Sequence, residues 1–306
     1  NSIFAKITNL YLSTINFMKK SVKNYLTLIF LAIVWGSSFI LMKKGLQSYS
    51  YTQVAGLRLF IAFLSLLPFI YNAFKKLARR HWGPIIITAL LGNGIPAFLF
   101  TNAQTQLASS FVGILNSLTP LFTLLLAVFF FKTKASRTNI IGIIIGFSGA
   151  SLLALYDLIN IPINNIYTFL VIIATLSYAI SVNVIKKYLY DLDAISISAL
   201  AFLFVGPISA IYIYDDNLIY LLSSQEGKKA LIYIIILAVV GTSLAVVVFN
   251  KLIKDSSAIF ASSVTYIIPV IAIIWGITDD EEIHLHHLIG TIIILCGIYL
   301  VNKRAD

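Results

Sequence analysis

The chain has 306 residues, of which 59% are hydrophobic and only 11% charged, too apolar a balance for the surface of a water-soluble globular protein. Its net charge of +10 sits in short connections between apolar runs and forms no basic domain, which argues against nucleic acid as a partner and makes the charge a record of topology. The single cysteine, Cys296, lies inside an apolar run, so no disulfide framework and no metal-ligand spacing exist around it and it reads as a packing residue.

Taken in chain order, Asn1 to Phe17 is mixed and weakly amphipathic, while Met18-Lys19-Lys20 ahead of the first apolar run resembles a start in the cytosol. Residues 1–24 are therefore expected to form an N-terminal cytoplasmic segment, its first 17 residues foreign to the fold or disordered. Runs of about 20 apolar residues, the length that crosses a bilayer, then recur almost end to end. They predict spans at Tyr25 to Met42, Thr52 to Phe74, Pro84 to Ala103, Ala108 to Phe131 and Thr138 to Tyr156. Five more come after these, at Asn165 to Ile185, Ala194 to Tyr214, Ala230 to Asn250, Ser257 to Ile277 and Leu285 to Val301. The connections are short and leave no room for a soluble domain.

With the N-terminus in the cytosol, the connections on that side collect Lys75, Lys76, Arg79, Arg80, Lys132, Lys134, Arg137, Lys186, Lys187, Lys251 and Lys254. The opposite face receives Lys43, Lys44, Lys228 and Lys229 together with Asp215, Asp216, Glu226 and the run Asp279 to Glu282. The positive-inside rule then puts both termini in the cytoplasm, and the expected location is the bacterial inner membrane.

The chain repeats itself. Trp35-Gly36-Ser37-Ser38 through Lys43-Lys44 matches Tyr178-Ala179-Ile180-Ser181 through Lys186-Lys187 at an offset of 143. Gly92, Phe100 and Pro120 match Gly241, Phe249 and Pro269 at an offset of 149, the extra residues falling in the longer loop at Ser223 to Lys229. Residues 25–156 and 165–303 thus form two halves of five spans each. An odd number of spans inverts the second half relative to the first, which implies a pseudo-two-fold axis in the membrane plane.

Several of these segments resemble the EamA transporters of the drug/metabolite transporter superfamily. They are Trp35-Gly36-Ser37-Ser38-Phe39, Leu57-Arg58-Leu59-Phe60, the Ala/Ser-rich entry to a proline-containing span from Ala108 to Pro120, and its repeat from Ser256 to Pro269. The similarity runs over nearly all of Tyr25 to Arg304. In that family a Glu commonly stands thirteen positions after the proline; Glu282 fits after Pro269, but Thr133 stands there after Pro120, so no carboxylate role carries over to the first half. The resemblance implies an all-α integral membrane bundle of ten helices, two inverted five-helix repeats around a central cavity. That cavity would be lined by the first, third, fourth, sixth, eighth and ninth spans, with the fifth and tenth peripheral. It also implies export of amino acids, other metabolites or drugs.

Ionisable groups inside a bilayer are functional suspects, and Arg58 is the one charge clearly within a span. Roughly 9 Å from the outer end at 1.5 Å per residue, it is within snorkelling reach of the headgroups; the alternative is that it faces the cavity and attracts anions. Binding is otherwise expected to be polar and uncharged. Neutral polar groups must find partners in the bundle or in a wet cavity. The candidate substrate-binding residues are Trp35, Ser38, Asn93, Asn116, Thr119, Tyr178, Thr242, Ser243 and Tyr266, with interhelical hydrogen bonding the competing account. Gly92-Asn93-Gly94-Ile95-Pro96 and Gly241-Thr242-Ser243 would loosen the third and eighth spans at equivalent places. Pro96, Pro120 and Pro269 are candidate hinges or fixed kinks. Gly142, Gly146 and Gly149, with Gly290 and Gly297, suit close helix approach, within the chain or in a homodimer. Asp279 to Glu282 beside His284, His286 and His287 reads as a wet acidic loop, with no metal assigned.

With no P-loop motif and no buried carboxylate, the expected function is a secondary transporter, in the exporting direction, of amino acids or amphipathic and aromatic compounds. It would need no cofactor, act on a small-molecule substrate in a lipid bilayer, and work as monomer or homodimer. The alternatives are a flippase for lipids or lipid-linked carriers, which would need Arg58, Lys43 and Lys44 for a headgroup, and a receptor without transport. No Ser-His pair or paired intramembrane carboxylates suggest an enzyme.

Overall fold

Backbone amides in hydrocarbon must be satisfied within the protein, which favours the helix as the spanning element. The computed structural model describes residues 2–132, 136–160, 165–215, 217–281 and 285–302, and among these residues there are helices and turns and no strand. The chain-order helices are α1 (Ser2–Leu46), α2 (Tyr51–Lys76), α3 (Arg79–Ala103), α4 (Ser109–Phe129) and α5 (Arg137–Asn160). They continue with α6 (Asn165–Tyr188), α7 (Ala194–Tyr212), α8 (Gln225–Asp255), α9 (Ala258–Thr278) and α10 (Leu285–Asn302), with a six-residue helix, Leu218–Ser223, between α7 and α8. Of α1 to α10, eight, all but α5 and α10, hold described stretches long and apolar enough to cross a membrane. The chain is thus an all-helical, multi-pass membrane protein. Helix α1 starts at Ser2, well ahead of the expected span, and its stretch Val22–Leu46 is long and apolar enough to cross a membrane. Thr133, Glu282 and His284 lie outside the described residues.

Local sequence sets the helix starts. Ser50 and Gln53 form a reciprocal capping box at α2, and Asp193, Ser224 and Ser257 cap α7, α8 and α9 through side-chain oxygens that accept backbone N–H groups. The helices pack in a repeating scheme: α1 lies on α8 and α9, α6 lies on α3 and α4, α2 pairs with α7, and α5 pairs with α10. Three apolar clusters fill the bundle, the smallest around Ile114, Ile143, Tyr266 and Ile294. Of the larger two, one joins Leu31, Leu59, Phe202 and Val264, and the other joins Phe39, Val54, Phe111 and Ile234.

Two helices change their winding at matching places. In α3 the turn Leu90–Gly94 is π-helical, and in α8 so is Val239–Leu244. Both fall on the glycines expected to loosen these spans. Pro96 opens the regular helix after the first of them. In α4 a 3₁₀ turn at Asn116–Leu118 precedes Pro120. Pro120 has no N–H for the Asn116 carbonyl, and that carbonyl instead accepts the Thr119 amide and, at 2.8 Å, its hydroxyl. In α9 the break falls at Ser263, and Pro269 sits inside the helix Val264–Thr278.

The glycines of α5 and α10 are used within the chain. A Cβ on Gly297 would lie 2.6 Å from the Gly142 carbonyl oxygen, and one on Gly149 would lie 2.9 Å from that of Gly290. This close approach is what small residues permit between membrane helices, and the motif therefore gives no support for a second copy on that face. Gly297→Leu is expected to force α5 and α10 apart and lower stability by about 1–3 kcal/mol. Gly83→Ala, where an added Cβ meets nothing within 4 Å, should stay within about 0.5 kcal/mol of wild type. Thermal melts of the purified protein in detergent compare the two.

Candidate functional site

Where the two π turns face each other, the helices enclose about 960 Å³ of atom-free space, its open mouth included. Walls come from α1, α2, α3, α4, α6, α8 and α9. The second span was not expected among them. It contributes Leu59 and, more consequentially, Arg58.

A π turn carries one extra residue and displays its side chains out of the usual register. In α3 the Asn93 amide donates to the Thr88 carbonyl five residues back, at 3.1 Å. In α8 the Thr242 hydroxyl donates to the Leu237 carbonyl, also five residues back, at 2.9 Å. Asn93 and Thr242 both face the cavity. Gly92 is pressed by the Ser181 hydroxyl and Gly241 by that of Ser38, so the glycines let α6 and α1 close on the π turns.

Aromatic rings line two sides. The Trp35 indole donates to the Gly241 carbonyl at 3.0 Å and meets Phe249 edge-on, ring centroids 4.8 Å apart. Tyr178 stacks on Phe100 at 5.7 Å. Asn116 and Thr119 of α4 complete the wall together with Ser262 and Thr265 of α9. Trp35, Ser38, Asn93, Asn116, Thr119, Tyr178 and Thr242 therefore come together around one space.

Two expected residues do not. Ser243 turns back along α8 and donates to the Val239 carbonyl at 2.9 Å. Tyr266 is fully buried, its ring against Gly146 of α5, and its hydroxyl has no hydrogen-bond partner among the described residues. Each directly succeeds a cavity residue, Thr242 or Thr265, and consecutive residues on a helix point roughly 100° apart. Phe100, Phe249 and Ser181 were not expected as site residues, although the repeat alignment pairs the two phenylalanines and sets Ser181 opposite Ser38.

Arg58 is the largest departure from the expected polar, uncharged site. It is 8% exposed, and its Nε donates to the Thr242 hydroxyl at 2.7 Å. Helix α2 packs along the π turn of α8, which directs the side chain inward. Among the described residues Arg58 makes no ion pair, and no Asp or Glu lines the cavity.

Charged clusters tie helix ends together at both ends of the bundle. Lys43 binds Asp279 at 2.7 Å and Glu281 at 2.8 Å, and Lys44 also pairs with Asp279. Glu281 further accepts from the Ser109 hydroxyl at 2.7 Å and from the Ser109 and Ser110 amides, capping the positive end of α4. No group of three metal-ligating side chains occurs among the described residues. At the other end Lys76 meets Asp193 at 2.6 Å and Arg80 meets Asp191 at 2.5 Å. There Lys186 donates to the carbonyls of Ile253, Lys254 and Ser256.

A sequence model of the EamA-like transporter family matches the chain over residues 22–155 and again over 165–303. The uncharacterized transporter YoaV of Bacillus subtilis is 25% identical over 91% of this chain and 96% of its own length. An uncharacterized transporter of Archaeoglobus fulgidus is 24% identical over 92% and 99% respectively. The uncharacterized inner membrane transporter YedA of Escherichia coli is 27% identical over 80% and 79%. A solved crystal structure shares the fold with a TM-score of 0.69, covering 92% of this chain and 96% of that one at 12% identity.

The cluster around Glu281 gives one end a measurable pH dependence. Burial pushes the Glu281 carboxyl up, but hydrogen bonds from Lys43, Ser110 and Ser109 outweigh it and hold the group below its ordinary value. A depressed carboxyl stabilises the fold fully above the unfolded value of about 4.3, and that contribution is lost as pH falls through the lower folded value. Glu281→Gln should therefore lose about 1–3 kcal/mol at pH 7, with a deficit that shrinks towards pH 3. Melting temperatures of the two proteins across that range check it.

Proposed function

This chain belongs to the EamA-like transporter family, and from that premise we propose a secondary transporter of small metabolites working by alternating access. Two five-helix halves, α1–α5 and α6–α10, enter the membrane in opposite senses and rock about the central cavity. What carries this reading is the pairing of wall residues at the repeat offsets: Trp35 with Tyr178, Ser38 with Ser181, Asn93 with Thr242, Phe100 with Phe249. Exchanging the halves maps these wall positions onto one another, while Arg58 and Leu59 of α2 have no counterpart on the wall from α7. The packing supports the same axis, since α1 on α8 and α9 mirrors α6 on α3 and α4, while α2–α7 and α5–α10 pair with their own counterparts.

Orientation rests on charge: the end bearing Lys43 and Lys44 also bears Asp279 and Glu281, which fits the outer face, with both termini in the cytoplasm. The membrane is the bacterial inner membrane, the one named for YedA. Without a carboxylate on the described cavity wall to carry a proton, movement by exchange, facilitated diffusion or the substrate's own gradient is favoured, in the exporting direction. A flippase would need Arg58, Lys43 and Lys44 for a headgroup; Lys43 and Lys44 are held by Asp279 and Glu281, which leaves Arg58 alone and weighs against it.

Counterflow of a pooled, labelled mixture of amino acids and other metabolites into proteoliposomes tests the reading. Wild-type protein should show saturable uptake, and Trp35→Ala and Asn93→Ala should lower it about tenfold or more, the scale set by losing one or two site contacts. Tyr266→Phe should keep wild-type uptake and be at least as stable, because it removes a buried hydroxyl that has no partner among the described residues. Absence of flux for every compound by well-folded protein would favour the receptor reading. For orientation, Lys228→Cys in a Cys296→Ser background should react with a membrane-impermeant maleimide added outside intact cells, and Arg79→Cys should not.

A further inference from the structure

The cavity holds one cation that the described fold does not neutralise. Arg58 is more than nine-tenths buried, and its guanidinium makes a single hydrogen bond among the described residues, from Nε to Thr242. The two terminal nitrogens bond to no described residue, and the guanidinium lies on the cavity wall. A charge buried within a spanning helix is expensive unless it is paired or reaches water. Buried ions are ordinarily paired. The partner that this one lacks within the described protein is an anion, and the free edge of a guanidinium is the planar two-toothed donor that a carboxylate matches.

We propose that the cargo is a small monocarboxylate with an apolar or aromatic body, its carboxylate seated on Arg58. This deepens the transport reading and rests on it. The rest of the wall supports a single negative charge and a greasy remainder. Trp35 with Phe249 and Tyr178 with Phe100 flank the space as two aromatic pairs, suited to an apolar body. A phosphate monoester carries nearly two charges and ordinarily draws several Lys or Arg residues. Lys43 and Lys44 are taken by Asp279 and Glu281. A purely cationic cargo would face a like charge with no carboxylate on the described wall to receive it.

The test is a matched series of probes on the purified protein, read by ligand-induced thermal stabilisation and by counterflow in proteoliposomes. The series is 3-phenylpropionate, its amide, 3-phenylpropylamine, phenylalanine, isovalerate and inorganic phosphate. Carboxylates should bind about tenfold or more tightly than the amide or amine of the same skeleton, the usual margin of a charge-assisted hydrogen bond. Arg58→Gln should erase that preference while melting no lower than wild type, since it removes an uncompensated charge. Arg58→Lys should retain part of it. Equal affinity for acid and amide in the wild type, phosphate binding as tight as the carboxylates, or an acid preference that survives Arg58→Gln would each overturn the proposal. Flux of neutral or cationic compounds that ignores the Arg58 variants would overturn it and leave the transport reading standing. No binding or flux for any probe would remove both.

Discussion

A polypeptide in hydrocarbon has no water to complete its hydrogen bonds, so irregular backbone is tolerated only where protein or a wet cavity receives it. That constraint organises this molecule. The departures from regular winding at Leu90–Gly94, Val239–Leu244 and Asn116–Leu118 each adjoin or line the same space. At each, a side chain at the interruption takes up a carbonyl: Asn93 at Thr88, Thr242 at Leu237 and Thr119 at Asn116. The polar residues of the wall hold the irregular backbone in place and face the cavity at once. This dual duty explains why uncharged hydrogen-bonding groups crowd into the middle of α3, α4, α8 and α9.

Glycine decides how tightly the wall is drawn. Gly92 and Gly241 sit under the hydroxyls of Ser181 and Ser38, so α6 and α1 lie directly on the interrupted turns of α3 and α8. With the helices this close, the Trp35 indole reaches the Gly241 carbonyl. A larger residue at either glycine would separate the helices and carry the aromatic ring away with them. The pairing of α5 with α10 uses the same device for a different end, holding a peripheral pair that contributes nothing to the described wall.

Much of this was legible in the sequence because it is written as periodicity. Apolar runs of spanning length mark the helices, and the offsets of 143 and 149 align Ser38 with Ser181 and Gly92 with Gly241 from residue identity alone. Hydropathy cannot supply azimuth. Thr242 and Ser243 are equally polar, and Thr265 and Tyr266 both carry hydroxyls, yet one of each pair faces the cavity and its neighbour turns away. A π turn shifts the register by a residue, so counting at 3.6 per turn across it misplaces every later side chain. The sequence left open for the same reason whether Arg58 snorkels or faces the cavity. Its depth in α2 is compatible with snorkelling, and only the packing of α2 along the π turn of α8 aims it at Thr242.

The lysine that recurs at positions 43 and 186 shows that related halves need not be energetically alike. Lys43 ends in carboxylates, Asp279 and Glu281, and Lys186 ends in the backbone carbonyls of Ile253, Lys254 and Ser256. Partly exposed ion pairs weaken with salt and are broken by protonation of the acid. Carbonyls at the C-terminal end of a helix hold an ammonium through the helix dipole as well as hydrogen bonds, and no proton in the working pH range removes them. The two recurring lysines are therefore held by different chemistry, while the end that holds Lys186 keeps salt- and acid-sensitive pairs of its own, Lys76 with Asp193 and Arg80 with Asp191.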